Sequence, residues 1–197
     1  MRSQAGVAFA DRGAANSNAG GKYRTLAEQR VAAAGGRTAD SGTVCFCLSW
    51  GDKVDLDLHC QMPGKAGKVC YFLEKHPHKN ITLDVDKQAQ HLGSQVENIF
   101  LSTAGCPDGN YEYFIRLYSG GRMGPKRAVG FAVVCNQLNE KIDEATATVK
   151  DQCPMKDHAS SAPDYEKGDT HCLTLTLKKG KVTKSKFHIE AKSISLD

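Results

Sequence analysis

The sequence predicts an all-β protein that folds as a single β-sandwich, jelly-roll-like, with about nine or ten strands and an N-terminal arm. Short strand-like segments recur from residue 43 onward, each bounded by Gly, Pro, Asn or Asp. Apolar and acidic residues alternate strictly from Val54 to Leu58, which is typical of a half-buried strand. The length of 197 residues, with 40% hydrophobic and 24% charged residues, suits one substantial core.

Residues 1–42 differ in composition from the rest of the chain. They are rich in Ala, Gly and Arg and hold few large apolar side chains, so they cannot build a core of their own. Residues 23–34 contain good helix formers between glycines and can form one short helix when docked, although an isolated helix of about 12 residues is marginal. We therefore expect residues 1–42 to be a flexible arm that contacts neighbouring subunits. A disordered tail is the alternative.

The sandwich domain is expected to span residues 43–197. Its first seven strands are expected at residues 43–50, 54–61, 68–73, 81–86, 96–101, 111–118 and 128–135. Alternation along the strands predicts that Trp50, Leu56, Leu58 and Ile99 face the core.

The C-terminal third of the chain is less regular. Residues 138–149 fit both a helical stripe and a strand, and we expect a connection that ends in a strand. Residues 151–169 hold Pro154, Pro163 and Gly168, so we expect a surface loop. Two strand-like segments, 172–177 and 182–189, then flank a glycine-containing turn at residues 178–181, which predicts a hairpin.

Acidic residues on three of these strands are the candidate metal ligands. They are Asp55, Asp57, Asp84, Asp86 and Glu97. Ca²⁺ takes six to eight oxygen ligands in irregular geometry, so carboxylates from separate segments can share one ion. A solvated acidic sheet face is the alternative. The chain has no twelve-residue Asp-rich loop, which excludes an EF-hand.

Several short motifs of residues 43–136 resemble the YfaP-type bacterial β-sandwich domain, a family of uncharacterised activity. The matching residues are Leu48, Trp50, Asp55, Asp57, Leu58, His59, Pro63, Leu83, Asp84, Asp86, Glu97, Asn98, Ile99, Pro107, Gly109, Tyr111 and Tyr118. The first acidic strand also resembles, more weakly, the calcium-binding tellurium-resistance sandwiches. These resemblances imply a β-sandwich, and the second implies calcium as a candidate ligand.

Cysteines and aromatic residues provide weaker candidates. Eight cysteines in a chain without an apolar leader favour reduced, buried thiols over a disulfide scaffold, and the absence of any C-x-x-C pair argues against structural zinc. Tyr111, Tyr113, Phe114 and Tyr118 could stack on a sugar, but Tyr111 and Tyr113 share a face with Ile115 and Leu117, which favours packing of these two rings in the core. No motif of a known catalytic class is present.

We therefore expect a non-catalytic structural or interaction module, a subunit of a larger assembly such as a virion shell (capsid) or surface layer. Its partners would be other copies or neighbouring proteins, contacted through residues 1–42. The alternatives are a Ca²⁺-dependent module that binds carbohydrate and a hydrolase with an unrecognised site.

A net charge of +4 makes nucleic acid an unfavoured partner, and no apolar run suits a membrane span. We expect a cytoplasmic protein without a secretory signal peptide, or a virion protein if the chain is viral.

Overall fold

The computed structural model describes ten strands and one helix. The residues described are 26–39, 42–50, 55–64, 67–86, 95–119, 129–137, 140–149, 162–163 and 169–189. The elements in chain order are α1 (Leu26–Ala33), β1 (Thr43–Trp50), β2 (Asp55–Gln61), β3 (Val69–Cys70), β4 (Ile81–Asp86), β5 (Gln95–Ser102), β6 (Gly109–Ser119), β7 (Val129–Gln137), β8 (Glu140–Val149), β9 (Thr170–Lys178) and β10 (Lys181–Phe187). No helix in this part of the chain is long and apolar enough to cross a membrane.

The strands form two five-stranded antiparallel sheets. The first sheet has the order β4-β5-β1-β7-β8, and the second has the order β10-β9-β6-β2-β3. Four hairpins of consecutive strands, β2–β3, β4–β5, β7–β8 and β9–β10, each lie within one sheet. The predicted all-β sandwich and its number of strands are confirmed.

The main hydrophobic core lies between the two sheets. Alternate residues of β1 point into it, from Val44 to Trp50. Leu56 and Leu58 of β2 meet them from the second sheet, and Ile99 of β5 lies beside them in the first sheet. The predicted core positions Trp50, Leu56, Leu58 and Ile99 are therefore confirmed.

The tyrosines of β6 also belong to this core. Tyr111 and Tyr113 are buried, and Tyr113 packs against Phe46 with ring centroids 4.6 Å apart. Phe114 is buried on the opposite face of the same strand. Because all three rings are buried, they cannot form an exposed sugar platform. Alternation predicted this for Tyr111 and Tyr113 but not for Phe114, and the side chain of Tyr118 lies outside the described residues.

The helix α1 covers the outer face of the first sheet. Val31 and Ala39 pack there in a second apolar cluster, against residues that point away from the main core: Cys45, Cys47, Val85, Val96 and Phe100. Asn98 donates a 3.2 Å hydrogen bond to the carbonyl oxygen of Arg37. The predicted short helix is confirmed, and residues 26–39 belong to the sandwich of their own chain; residues 1–25 lie outside the described residues.

Three local predictions can be compared with the structure. The strand predicted at residues 68–73 is limited to Val69–Cys70, because Tyr71 and Glu74 close a turn by pairing with each other. The ambiguous residues 138–149 form the strand Glu140–Val149 rather than a connection with a short strand at its end. The C-terminal hairpin is confirmed, with Lys179 and Gly180 at φ of 50° and 69° in the left-handed conformation that its two-residue turn requires.

The six described cysteines are buried, as predicted, and none of them forms a disulfide with another. They are Cys45, Cys47, Cys60, Cys70, Cys106 and Cys172. Burial raises the pKa of the Cys70 thiol to about 12 and that of Cys106 to about 11, so both are protonated at neutral pH. Cys135 lies on β7, whose side chains are not described, and Cys153 lies outside the described residues.

Candidate cation site at the edge of the sandwich

Two acidic residues of β2 lie on the outer face of the second sheet. Because Leu56 and Leu58 point into the core, alternation places Asp55 and Asp57 on the opposite face. Both carboxylates are nevertheless buried. Asp57 lies opposite Arg116 of β6 in the register of the two strands.

Glu97 of β5 reaches from the first sheet to the second. It shares the inward face of β5 with Ile99 and Leu101 of the core. Its Oε2 accepts a 2.5 Å hydrogen bond from the backbone N–H of Leu58. On this side of β2, the short strand β3 pairs with Cys60 and Gln61 and does not reach Leu58. The Glu97 carboxylate therefore accepts the hydrogen bond from the Leu58 N–H that a longer β3 would otherwise accept.

Asp86 joins this group from β4. It lies directly opposite Glu97 in the β4–β5 register, and directly opposite residues share a face. Its Oδ2 forms an ion pair of 2.8 Å with Lys75, whose side chain is 44% exposed. The carboxylates of Asp55, Asp57, Asp86 and Glu97 are called the acidic cluster below.

Asp84 is separated from the acidic cluster by an irregularity in its strand. The β4–β5 register shifts between Leu83 and Val85, as in a β-bulge, and Asp84 is the extra residue. Its Oδ2 accepts a 2.6 Å hydrogen bond from the backbone N–H of Arg37, and its Oδ1 accepts a 2.7 Å bond from Asn98. Asp84 therefore anchors the segment that follows α1.

Two carboxyl groups of the acidic cluster, those of Glu97 and Asp57, have raised pKa values. Burial raises the pKa of the Glu97 carboxyl well above its usual value, and the nearby charge of Asp57 raises it further. Burial likewise raises the pKa of Asp57, followed by the charges of Asp55 and Asp86, while the guanidinium of Arg116 opposes the shift. Two carboxyl groups in one buried region thus retain protons that an exposed carboxyl would release.

Three buried oxygen atoms of this region have no hydrogen-bond partner among the described residues. They are Oδ2 of Asp57, Oε1 of Glu97 and Oε1 of Gln95. Gln95 lies two residues before Glu97 and on the same face of β5. Buried oxygens without donors are costly, and an oxygen-only set is the kind that Ca²⁺ prefers.

The acidic cluster is not a preformed coordination sphere. Within the described ranges, no group of three or more His, Cys, Asp or Glu side chains is arranged so that it could hold a metal ion. A cation would therefore require rotation of carboxylate side chains toward a common point. Ca²⁺ tolerates irregular geometry, so the residue types fit this ion better than they fit Mg²⁺ or zinc.

A buried ion pair, which could not be predicted from the sequence, links β6 to the residue before β9 in the second sheet. Arg116 donates to both carboxylate oxygens of Asp169, at 2.9 and 2.6 Å, and to the carbonyl oxygen of Ala162 at 2.9 Å. Both charged side chains are fully buried. Asp169 lies 53 residues from Arg116, and no local pattern links two residues at that separation.

His59 also occupies an unexpected position. Alternation places it on the same face as Asp55 and Asp57, and it is fully buried there. Its ring lies between Tyr71 and Phe114, with centroid distances of 5.2 and 4.7 Å. The outer face of the second sheet is thus a partly buried layer beside the acidic cluster.

Comparison with known proteins identifies no relative of this chain. No protein-family profile matches it, and no curated protein or solved structure does so either.

Proposed function

We propose that this protein is a Ca²⁺-binding β-sandwich module whose cation site is the acidic cluster. One observation carries the proposal: Asp57 and Glu97 are both buried, the charge of Asp57 raises the pKa of Glu97, and each presents an oxygen without a hydrogen-bond partner among the described residues. A bound cation would compensate these charges at the place where the two sheets meet.

The cation has to compete with protons for this cluster. Two adjacent buried carboxylates cannot both ionise cheaply, so in the absence of a cation they retain protons. A divalent cation reverses that preference, because its positive charge favours the ionised form of every nearby carboxylate. Binding should therefore release protons and strengthen with rising pH.

The strand geometry supports a role for the cation in joining the sheets. Glu97 and Asp86 come from the first sheet, and Asp55 and Asp57 come from the second. An ion held by both pairs would act as a cross-link between β2 and the β4–β5 hairpin. The proposal does not include carbohydrate binding, because Tyr111, Tyr113 and Phe114 of the candidate sugar platform are buried.

The location of α1 favours this proposal over an assembly role. Residues 26–39 pack on the sheet of their own chain, so this part of the arm is not available to contact a neighbouring subunit. An assembly contact through the remaining residues 1–25 stays a prediction, as does the expectation that the protein is not an enzyme. A subunit of a virion shell or surface layer is accordingly the second hypothesis.

Calcium titration of the full-length chain tests the proposal. The protein is stripped with a chelator, dialysed and titrated with CaCl₂ at pH 7 by isothermal calorimetry. We expect binding to the intact chain, with loss or strong weakening in Glu97→Gln and Asp57→Asn. Asp84→Asn and Glu74→Gln are matched controls, because each removes one carboxylate outside the acidic cluster.

The two controls also define the contrary result. Equal weakening in all four variants would indicate nonspecific attraction to negative charge. No binding to the intact chain at millimolar CaCl₂ would refute the proposal.

A further inference from the structure

Two cysteines lie directly opposite each other at the edge of the second sheet. Cys60 of β2 and Cys70 of β3 are register partners in the antiparallel pairing of these strands. Directly opposite residues share a face of the sheet, and both side chains belong to the main hydrophobic core. The two thiols are therefore neighbours on the inward face of the sheet.

The backbone geometry of this pair suits a disulfide. The backbone N–H of Met62 donates a 2.8 Å hydrogen bond to the carbonyl oxygen of Lys68, two residues further along each strand, so Cys60 and Cys70 also form a hydrogen-bonded pair. The Cα atoms of such a pair are about 5.5 Å apart, within the range of about 4.4 to 6.8 Å that disulfides span. The Cβ atoms of directly opposite residues lie about 4.5 to 5.5 Å apart, so they have to approach by about 1 Å for the bond to form.

A third thiol, that of Cys106, lies in the same part of the core. Burial raises the pKa of Cys60 well above its usual value, and the thiol of Cys70 and, to a smaller extent, that of Cys106 raise it further. The Sγ atom of Cys106 donates a 2.9 Å hydrogen bond to the carbonyl oxygen of Ser102, which holds this thiol at the end of β5. Cys70, the register partner of Cys60, is thus its preferred partner for a disulfide.

Access to the two thiols is limited in the folded protein. Burial keeps Cys60 and Cys70 protonated, and the thiolate is the form that reacts. However, β3 has only two residues and lies at the end of its sheet. A short edge segment opens at a lower free energy than the whole fold. The thiols therefore react while the chain folds or while β3 is detached from β2.

We propose that Cys60 and Cys70 form a disulfide that cross-links β2 to β3 when the chain folds in the presence of a low-molecular-weight disulfide such as oxidised glutathione. The thiolate of one cysteine attacks oxidised glutathione and expels one glutathione thiolate, which leaves a mixed disulfide. The thiolate of the other cysteine then attacks the protein sulfur of the mixed disulfide and expels the second glutathione. Overall, each protein thiol loses one proton and one electron, and one oxidised glutathione is reduced to two thiols.

The disulfide would fix β3 to the sheet and close the loop between residues 60 and 70. Closing a loop constrains the unfolded chain, so the oxidised protein should melt at a higher temperature than the reduced protein. Oxidation gives up one weak contact, a 3.5 Å hydrogen bond from the Cys70 thiol to the carbonyl oxygen of Lys75. In a reducing compartment the two thiols stay reduced. No cation takes part in this chemistry, so the cross-link is independent of the proposed Ca²⁺ site.

The experiment is a peptide map of the full-length protein after oxidative refolding. The chain is unfolded and reduced, refolded in a buffer of reduced and oxidised glutathione, alkylated, and digested with trypsin without reductant. Trypsin cleaves after Lys65 and Lys68, so Cys60 and Cys70 fall in separate peptides, residues 54–65 and 69–75. We expect mass spectrometry to find these two peptides joined, with a mass lower by two hydrogen atoms than their sum, and reductant to separate them.

Serine variants supply the controls. Cys60→Ser and Cys70→Ser should each remove the joined peptide and the difference in melting temperature between oxidised and reduced protein, whereas Cys106→Ser should keep both. If the unfolded chain does not recover its native circular dichroism spectrum, the same map of native protein incubated in the glutathione buffer decides the question. The proposal is overturned if the two peptides are not joined, if Cys60 is joined to the peptide of Cys106 instead, or if oxidation leaves the melting temperature of the intact chain unchanged.

Discussion

Glu97 and Leu58 join the two sheets of this sandwich through a hydrogen bond of 2.5 Å between a carboxylate oxygen and a backbone N–H. The other carboxylate oxygen of Glu97 is buried without a hydrogen-bond partner among the described residues. The same side chain therefore stabilises one strand and concentrates negative charge beside Asp57. That combination is the basis of the proposed cation site.

Glu97→Gln should make the metal-free protein less sensitive to pH. Because the folded state raises the pKa of Glu97 well above 4.5, the native protein holds a proton that the unfolded chain releases above this pH. The free energy of unfolding should thus fall as pH rises from about 4.5, and the glutamine removes this contribution. Urea denaturation between pH 5 and 8 measures it, and parallel pH profiles for the two proteins would contradict it.

Arg116→Leu should destabilise the fold by about 3 to 5 kcal/mol, because it leaves the buried carboxylate of Asp169 without its partner. The double variant Arg116→Leu/Asp169→Leu should recover part of this loss, since no uncompensated charge remains at Asp169. A double-mutant cycle by chemical denaturation measures the coupling. Strictly additive effects of the two changes would show that Arg116 and Asp169 are not energetically coupled.

Removal of residues 1–25 should leave the stability of the sandwich nearly unchanged, whereas removal of residues 1–41 should destabilise it. The longer deletion uncovers Val96, Phe100 and the rest of the second apolar cluster, and loss of Val31 burial alone is worth about 1.5 to 3 kcal/mol. Denaturation of both truncated proteins provides the measurement. Equal stability would mean that α1 does not pack on its own sheet in solution.

Leu56→Ala should cost about 2 to 5 kcal/mol, because Leu56 is fully buried between the sheets. Leu73→Ala is the matched control, since Leu73 is 70% exposed and its truncation should stay within about 0.5 kcal/mol. The shift in denaturation midpoint of each variant, at constant m-value, measures the two losses of stability. A small effect at Leu56 would show that the opposite face of β2 points into the core.

The core faces could be predicted from the sequence, because a strand exposes alternate residues to opposite sides. Leu56 and Leu58 illustrate this, since a period of two suffices to place them on one face. The same reasoning could not separate Asp84 from Asp86. A β-bulge breaks the alternation between Leu83 and Val85, and such a bulge depends on the pairing with β5 rather than on a local motif.

Tertiary contacts account for the other differences. The segment around Tyr23 to Ala34 has the composition of a marginal helix, and only the apolar face of β1 and β5 determines where α1 docks. Arg116 and Asp169 carry no sequence signal that they pair. Burial of Asp57 and Glu97 was likewise unpredictable, because alternation places a carboxylate on a face without showing what covers that face.

The most direct test of the central claim is the thermal stability of the intact chain and of Glu97→Gln, each in excess Ca²⁺ and in chelator. At a Ca²⁺ concentration 100 times the dissociation constant, mass action predicts about 2.7 kcal/mol of added stability for the intact chain. We expect a higher melting temperature in Ca²⁺ for the intact chain and no such difference for Glu97→Gln. A melting temperature of the intact chain that is the same in millimolar Ca²⁺ and in chelator would contradict the proposed cation site.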